Sequence, residues 1–283
     1  MVAPCADGRG DDEQLTALAR TLRRNVIETL WHAGAGHPGG SLSAVEILAA
    51  LFFRVMRIDP ADPHWEQRDR FVLSKGHAAS AYYVTLQQRG YFPVEVLATY
   101  DELDSCLQAH PDCHTPGVDM PSGSLGQGLS AGLGMALGAR LKGYDSRTFV
   151  LLGDGECQEG QVWEAAMAAP KFRLGSLTAI VDVNKVQLTG HTKDVMPIEP
   201  LADKWRAFNW NVSEIDGHSI AAIVDACRRA AALPETPTVI LAHTVKGKGI
   251  SFMEDTHEWH SAQITDEIRQ KALAELDAAE VSA

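Results

Sequence analysis

Cysteine is scarce in this chain, with five in 283 residues (Cys5, Cys106, Cys113, Cys157 and Cys227), and they form no C-x-x-C pair and no even framework. That excludes a disulfide-stapled scaffold and suits reduced thiols in a reducing compartment. No apolar run approaches the roughly 20 residues of a membrane-spanning helix. The start, Met1 to Asp12, is rich in Gly and Asp and lacks the apolar segment of a signal peptide. A cytoplasmic protein is therefore expected, with residues 1–12 as a disordered N-terminal segment and 13–283 as a single domain. Basic residues are outnumbered, 25 Lys and Arg against 37 Asp and Glu, for a net charge of −12. This balance disfavours nucleic acid and anionic membrane surfaces as partners, and an anionic ligand would need a local concentration of positive charge. Internal repeats, biased tracts and linker-like stretches are also missing, so nothing divides the chain.

What is present is the composition of a packed globular protein, 45% hydrophobic and 22% charged. From Gln14 to Ala33, apolar residues at Leu15, Leu18, Leu22, Val26 and Leu30 form a helical stripe that stops near Gly34 and Gly36. A second helix is expected to open with Ser43 and Glu46 in capping-box spacing and to run through Ile47 to Met56 before Pro60. Short apolar runs at Arg70 to Leu73, Thr148 to Leu152, Leu177 to Val183 and Thr238 to Ala242 read as strands buried on both faces. Strands alternating with helices predict an α/β fold, a parallel sheet flanked by helices, with its ligands at the carboxyl ends of the strands.

The run Thr148 to Leu152 is followed by Gly153-Asp154-Gly155 and then by a helical segment from Gln161 to Lys171. A strand, glycine turn and helix aim backbone amides at one point and favour phosphate there. Asp154 adds a carboxylate suited to a divalent ion that bridges protein and phosphate oxygens. The next strand ends in Asn184-Lys185, and Asn184 lies 184 − 154 = 30 residues beyond Asp154, one β-α-β unit. An amide oxygen is a second hard ligand, and the carbonyl of Val186 offers a third. Taken singly, Gly-Asp-Gly is an ordinary turn and Asn184 a cap; the spacing of the pair favours the ligand reading.

Three loops place a histidine beside glycine or proline: Gly36-His37-Pro38-Gly39-Gly40-Ser41, Leu73-Ser74-Lys75-Gly76-His77 and His110-Pro111-Asp112. Each could be a plain loop residue, but converging imidazoles would suit a hydroxylated, phosphorylated substrate. The cluster Cys106, His110, Cys113 and His114 matches no common zinc spacing and reads as scattered loop residues.

The Gly-Asp-Gly and Asn pair resembles the thiamine diphosphate motif. With Ser122-Gly123-Ser124-Leu125-Gly126-Gln127-Gly128 and Lys246-Gly247-Lys248-Gly249, the ordered set from Leu15 to Trp259-His260 resembles the amino-terminal half of transketolase. The resemblance implies thiamine diphosphate with Mg²⁺ (or Ca²⁺ or Mn²⁺) as cofactors, and Asp154, Asn184 and the Val186 carbonyl as metal ligands. His77, Gly155 and His260 would touch the diphosphate, and Gly123, Ser124 and Leu125 would line the aminopyrimidine. His37, His110 and His260 would face the sugar. Glu159 and Glu164 match acidic positions near the dimer interface that couple the cofactor sites, and Leu188 matches an apolar position beside the cofactor.

Two departures stand out. The family commonly has Pro where this chain has Ser124, and His257 competes with His260 for one role. Only 283 − 184 = 99 residues follow Asn184, which leaves no room for the pyrimidine-binding and carboxy-terminal domains of the family. The resemblance therefore implies a second transketolase subunit carrying them, in an α2β2 assembly that transfers a two-carbon ketol unit from a ketose phosphate to an aldose phosphate. The alternatives are a deoxyxylulose-phosphate synthase, a non-enzymatic protein retaining the fold and a 2-oxoacid dehydrogenase subunit.

Overall fold

A computed structural model describes residues 11–281. Helix α1 (Asp12–Ala33) begins with a capping box: the Asp11 carboxylate accepts from the Gln14 N–H, and Gln14 Oε1 accepts from the Asp11 N–H. It ends at Gly34, whose φ of 78° is the left-handed conformation that glycine adopts without steric cost. Asp11 and Asp12 thus belong to the folded domain rather than to the expected disordered segment, whose residues 1–10 lie outside the described residues. The expected stripe, Leu15, Leu18, Leu22, Val26 and Leu30, is buried.

The second helical region starts a turn earlier than expected. Helix α2 (Pro38–Ser43) opens with Pro38 at its first position, where a missing N–H costs nothing, and Ala44 joins it to α3 (Val45–Ala50). A single π-helical turn over Leu51–Val55 follows. Ser43 is therefore not a cap. Its hydroxyl donates to Asp182 Oδ2 at 2.6 Å, while Glu46 faces Arg23 and His218.

The central sheet has five parallel strands: β1 (Arg70–Leu73), β2 (Thr148–Gly153), β3 (Leu177–Val183), β4 (Asn211–Asp216) and β5 (Thr238–His243). They lie in the order β1-β2-β3-β5-β4. All seven residues of β3 are buried, as its continuous apolar run requires. Strand β4 was not foreseen, because its faces are only partly covered and Asn-Val-Ser-Glu-Ile-Asp has only two apolar residues.

Side chains alternate across the sheet. Phe71, Phe149, Leu151, Ile180 and Ile240 pack against α1, α3 and α4 (Ala79–Arg89), together with α7 (Ile220–Ala231). Val72, Val150, Leu152, Val181 and Leu241 pack on the other face against α5 (Gln127–Leu141) and α6 (Gly160–Lys171). The carboxy-terminal helix α8 (Asp266–Val281) lies along α1.

The β2/β3 register pairs Gly153 with Asp182, and the Asp154 N–H donates to the Asp182 carbonyl at 3.2 Å. Asp154 and Asn184 therefore leave the sheet side by side. Chain segments leaving β1, β2, β3 and β5 all emerge at this carboxyl edge, where sheets of this type bind ligands.

Candidate active site

The floor of the carboxyl edge is a buried charge cluster around Asp182, at the end of β3. Its carboxylate accepts from the Lys75 ammonium, the hydroxyls of Ser43 and Thr244, and Asn184 Nδ2. Burial works against the charge on Asp182, but Lys75 and these hydrogen bonds prevail and hold its pKa below the usual carboxylate range. Lys75 also donates to the Gly40 carbonyl at 2.9 Å, tying the β1 loop to α2.

Asp154 is 2% exposed. Its two oxygens accept only backbone N–H groups, from Gly155 at 2.8 Å and Lys185 at 2.6 Å, and it makes no ion pair among the described residues. Burial and the neighbouring Asp182 push its pKa up to about 6, the signature of a carboxylate short of a cation. Asn184 Oδ1 accepts from the Val186 N–H at 3.1 Å. The Val186 carbonyl accepts from Lys246 Nζ at 2.9 Å, so it already attracts positive charge. Among the described residues no trio of His, Cys, Asp or Glu side chains is arranged to hold a metal. A cation at this edge would instead use the carboxylate of Asp154 with amide and carbonyl oxygens, a hard donor set that fits Mg²⁺ or Ca²⁺.

Lys246 is the complement of Asp154. It is 1% exposed, and its ammonium meets the Val186 carbonyl and His260 Nδ1 (2.8 Å) but, among the described residues, no carboxylate. Burial, reinforced by Lys75, lowers its pKa to about 8. A buried ammonium without a counter-ion is costly unless an anion arrives.

Four histidines stand above this floor. The His37 ring lies 5.7, 6.0 and 5.8 Å, centroid to centroid, from those of His77, His110 and His260, and His77 is 4.9 Å from His260. Burial, then the charges of His110 and Lys246, lowers the pKa of His37. His77 is depressed strongly by burial and Lys75, and His260 falls to about 3 through burial, Lys246 and His37. Neutral rings follow for these three at physiological pH. An ammonium can only donate, so His260 Nδ1 accepts and its Nε2 carries the proton. His37 Nδ1 is buried with no partner among the described residues, a polar atom left for a ligand.

Backbone glycines allow these groups to approach. A Cβ on Gly40 would stand 3.0 Å from His77 Nε2, one on Gly123 3.3 Å from the His110 ring, and one on Gly76 2.9 Å from the Gly123 nitrogen. The Gly123–Leu125 segment is fixed from below by Glu156. That buried carboxylate accepts from the N–H groups of Gly126 (2.8 Å) and Gly153 (3.0 Å) and from the Ser74 hydroxyl, joining three loops.

The structure thus gathers His37, His77, His110, His260, Asp154, Gly155, Asn184 and Val186 at one edge, with Gly123, Ser124 and Leu125 on its rim. His257 is exposed and 3.5 Å from Glu258, so His260 is the histidine that joins the cluster. Glu159 and Glu164 are exposed on and beside α6, and Leu188 is 60% exposed, so all three stand outside the buried cluster. Of the Cys106, His110, Cys113 and His114 group only His110 reaches the site, while His114 pairs with Asp112 at the surface. Sequence reasoning passed over Lys75, Asp182, Lys246 and Glu156. Lys75 and Lys246 sat inside motifs it quoted, Glu156 directly follows Gly153-Asp154-Gly155, and Asp182 was the one charge in an otherwise apolar strand, a signal that could have been followed.

Fold and site together define an α/β domain with a buried carboxylate, Asp154, and a buried ammonium, Lys246, at the carboxyl edge of a parallel sheet. The family model described as "Transketolase, thiamine diphosphate binding domain" matches residues 14–276, so the chain belongs to the transketolase family. The 6-deoxy-6-sulfo-D-fructose transketolase subunit SqwG of Clostridium sp. (strain MSTE9) is 47% identical over 260 residues, 92% of this chain and 94% of the relative. An apulose-4-phosphate transketolase subunit of Phocaeicola vulgatus is 41% identical, covering 93% of this chain and 94% of the relative. The crystal structure of Campylobacter jejuni transketolase superposes with a TM-score of 0.90 at 30% identity, covering 95% of this chain but 43% of that one. These comparisons agree with the expected transferase, the subunit of a thiamine-diphosphate-dependent transketolase, and favour it over the other thiamine diphosphate enzymes considered. No helix among the described residues is long and apolar enough to cross a membrane.

Proposed function

We propose that the chain is the diphosphate-binding subunit of a two-chain transketolase that moves a two-carbon ketol unit from an anionic ketose to an aldose phosphate. The observation that carries this reading is a pair of buried charges without direct partners: among the described residues no cation bonds to Asp154, no carboxylate bonds to Lys246, and no ion pair joins the two. A diphosphate carrying a divalent ion satisfies both at once. Asp154, Asn184 Oδ1 and the Val186 carbonyl would hold Mg²⁺, or Ca²⁺ or Mn²⁺. Lys246, His77, His260 and Gly155 would hold the diphosphate. Gly123, Ser124 and Leu125 would line the aminopyrimidine, with Leu188 and Glu159 at the border toward other subunits.

When bound, thiamine diphosphate supplies a nucleophilic thiazolium carbon and an electron sink for the two-carbon fragment. The chain's own groups orient the sugar. Neutral His37, with its unpartnered Nδ1, and His260, with its proton on Nε2, can accept from and donate to sugar hydroxyls. His110, at the rim beside Gly123, faces the entering substrate.

Nearly complete coverage of relatives that are themselves named as subunits, against less than half of the Campylobacter chain, supports a partner carrying the pyrimidine-binding and carboxy-terminal domains, in an α2β2 assembly. The sulfosugar and branched sugar phosphate in the relatives' names support an anionic ketose donor, a class that also holds the pentose phosphates. Cys106, Cys113, Cys157 and Cys227 are free thiols, which supports a cytoplasmic setting. Calorimetric titration with thiamine diphosphate, with Mg²⁺ and then with EDTA, tests the core of the reading. Binding that needs the metal supports it, and equal binding without metal contradicts it.

A further inference from the structure

Behind the site, and outside the set of groups that would touch a ligand, lies a buried polar triad of Arg23, Glu46 and His218. Glu46 accepts from Arg23 Nη2 at 2.7 Å and from His218 Nδ1 at 3.0 Å, and Arg23 Nη1 lies 2.6 Å from its other oxygen. The three side chains are 7%, 10% and 16% exposed, so water does not replace these bonds. Each arm of the triad then grips backbone. His218 Nε2 accepts from the Val245 N–H at 2.9 Å, and Arg23 Nε donates to the Lys248 carbonyl at 2.9 Å. These two points bracket Lys246. Because Nε2 accepts a backbone N–H, His218 must carry its proton on Nδ1 and donate it to Glu46, so one tautomer links the carboxylate to the loop. The loop has other anchors, from the Gly247 N–H to the Gly39 carbonyl, from the Asp255 N–H to the Lys246 carbonyl and from the Gly249 N–H to Glu254 Oε1, with a turn closed by the Lys248 N–H on the Val245 carbonyl; Arg23 and His218 are the side chains from outside the segment that grip its backbone on either side of Lys246.

From this geometry we propose that Glu46 and His218 are positioning residues that fix the loop carrying Lys246, so that its ammonium is presented to the cofactor's diphosphate. The inference rests on the reading of Lys246 given under the proposed function. A lysine has four rotatable bonds, and a buried one keeps its place only if its backbone is held.

The test combines calorimetric affinity for thiamine diphosphate with Mg²⁺ and hydrogen exchange of the Val245 amide, both on the assembled two-chain enzyme. His218→Leu is expected to speed Val245 exchange and to raise Kd about 10-fold, in line with losing the placement of one charged hydrogen bond. His218→Gln, whose amide can both accept from Val245 and donate to Glu46, is expected to restore both. In a Lys246→Met background, His218→Leu should add nothing, since the two act through one group. Glu46→Gln gives a second route to the same readouts should His218→Leu fail to fold. Faster Val245 exchange with unchanged Kd overturns the inference, as does a His218→Leu penalty that persists in full without Lys246. If Lys246→Met alone binds cofactor like the unaltered chain, the assignment of Lys246 fails and the brace falls with it, while a metal dependence that persists would leave the Asp154 assignment standing.

Discussion

Lys246 reaches the Val186 carbonyl at 2.9 Å and His260 Nδ1 at 2.8 Å, so one buried ammonium joins the segment that would hold the metal to the histidines that would face the sugar. Hydrogen bonds to a charged group contribute about 1.5–3 kcal/mol. Lys246→Met is therefore expected to weaken Mg²⁺-dependent thiamine diphosphate binding roughly 10- to 100-fold, read by calorimetry. An unchanged Kd would remove Lys246 from the anion site.

Asp154 is the acidic member of the proposed metal set. Asp154→Ala is expected to abolish the metal dependence of cofactor binding, leaving only weak association that EDTA no longer changes. Retained Mg²⁺-dependent binding would place the metal elsewhere.

His110 stands at the rim rather than on the charged floor, 6.0 Å from His37. His110→Ala in the assembled enzyme is expected to lower kcat about 100-fold, at the lower bound for loss of an acid–base group, with cofactor affinity within about threefold of normal. Loss of cofactor binding with normal residual turnover would contradict a substrate-facing role.

Glu46 gives a pH dependence of folding. Burial opposes its charge, but Arg23 and the His218 hydrogen bond outweigh that and lower its pKa from 4.5 to about 2. A carboxyl whose folded pKa is depressed stabilises the fold above its unfolded pKa, and that contribution drains away as pH falls through the folded value. Denaturation midpoints should thus show the full advantage of the unaltered chain over Glu46→Gln at neutral pH, shrinking as pH falls from 4.5 toward 2. A gap independent of pH would mean that Glu46 acts through packing alone.

Gly76 sits where the β1 loop meets the Gly123 segment, and an added Cβ would lie 2.7 Å from Ser122 Oγ and 2.9 Å from the Gly123 nitrogen. Backbone atoms cannot swing aside as a side-chain end can. Gly76→Ala should lower the melting temperature, at a cost of about 1–3 kcal/mol, and weaken cofactor binding by displacing the rim. An unchanged melting temperature and Kd would show that the two loops can part freely.

Much of this was legible in the sequence, and the exceptions have a physical pattern. Strands β1, β2, β3 and β5 announced themselves because burial on both faces demands continuous apolar runs; β4, only partly covered, faces no such demand and stayed hidden. Asp154 and Asn184 could be paired from their spacing, since a β-α-β unit brings strand ends together whatever the helix between them. Lys75, Asp182 and Lys246 could not be assigned, because their meaning comes from which charge lies opposite, and that depends on contacts 107 residues apart, as between Lys75 and Asp182. Ser43 and Glu46 misled for the same reason: their capping-box spacing is local, but their partners are Asp182, Arg23 and His218.

That this chain supplies the diphosphate-binding half of a two-chain enzyme is tested most directly by native mass spectrometry of the protein purified from its own cells with Mg²⁺ and thiamine diphosphate. A mixed assembly with equal copies of a second subunit, carrying cofactor, is the predicted result. A homo-oligomer or monomer that holds cofactor without any second chain would contradict it.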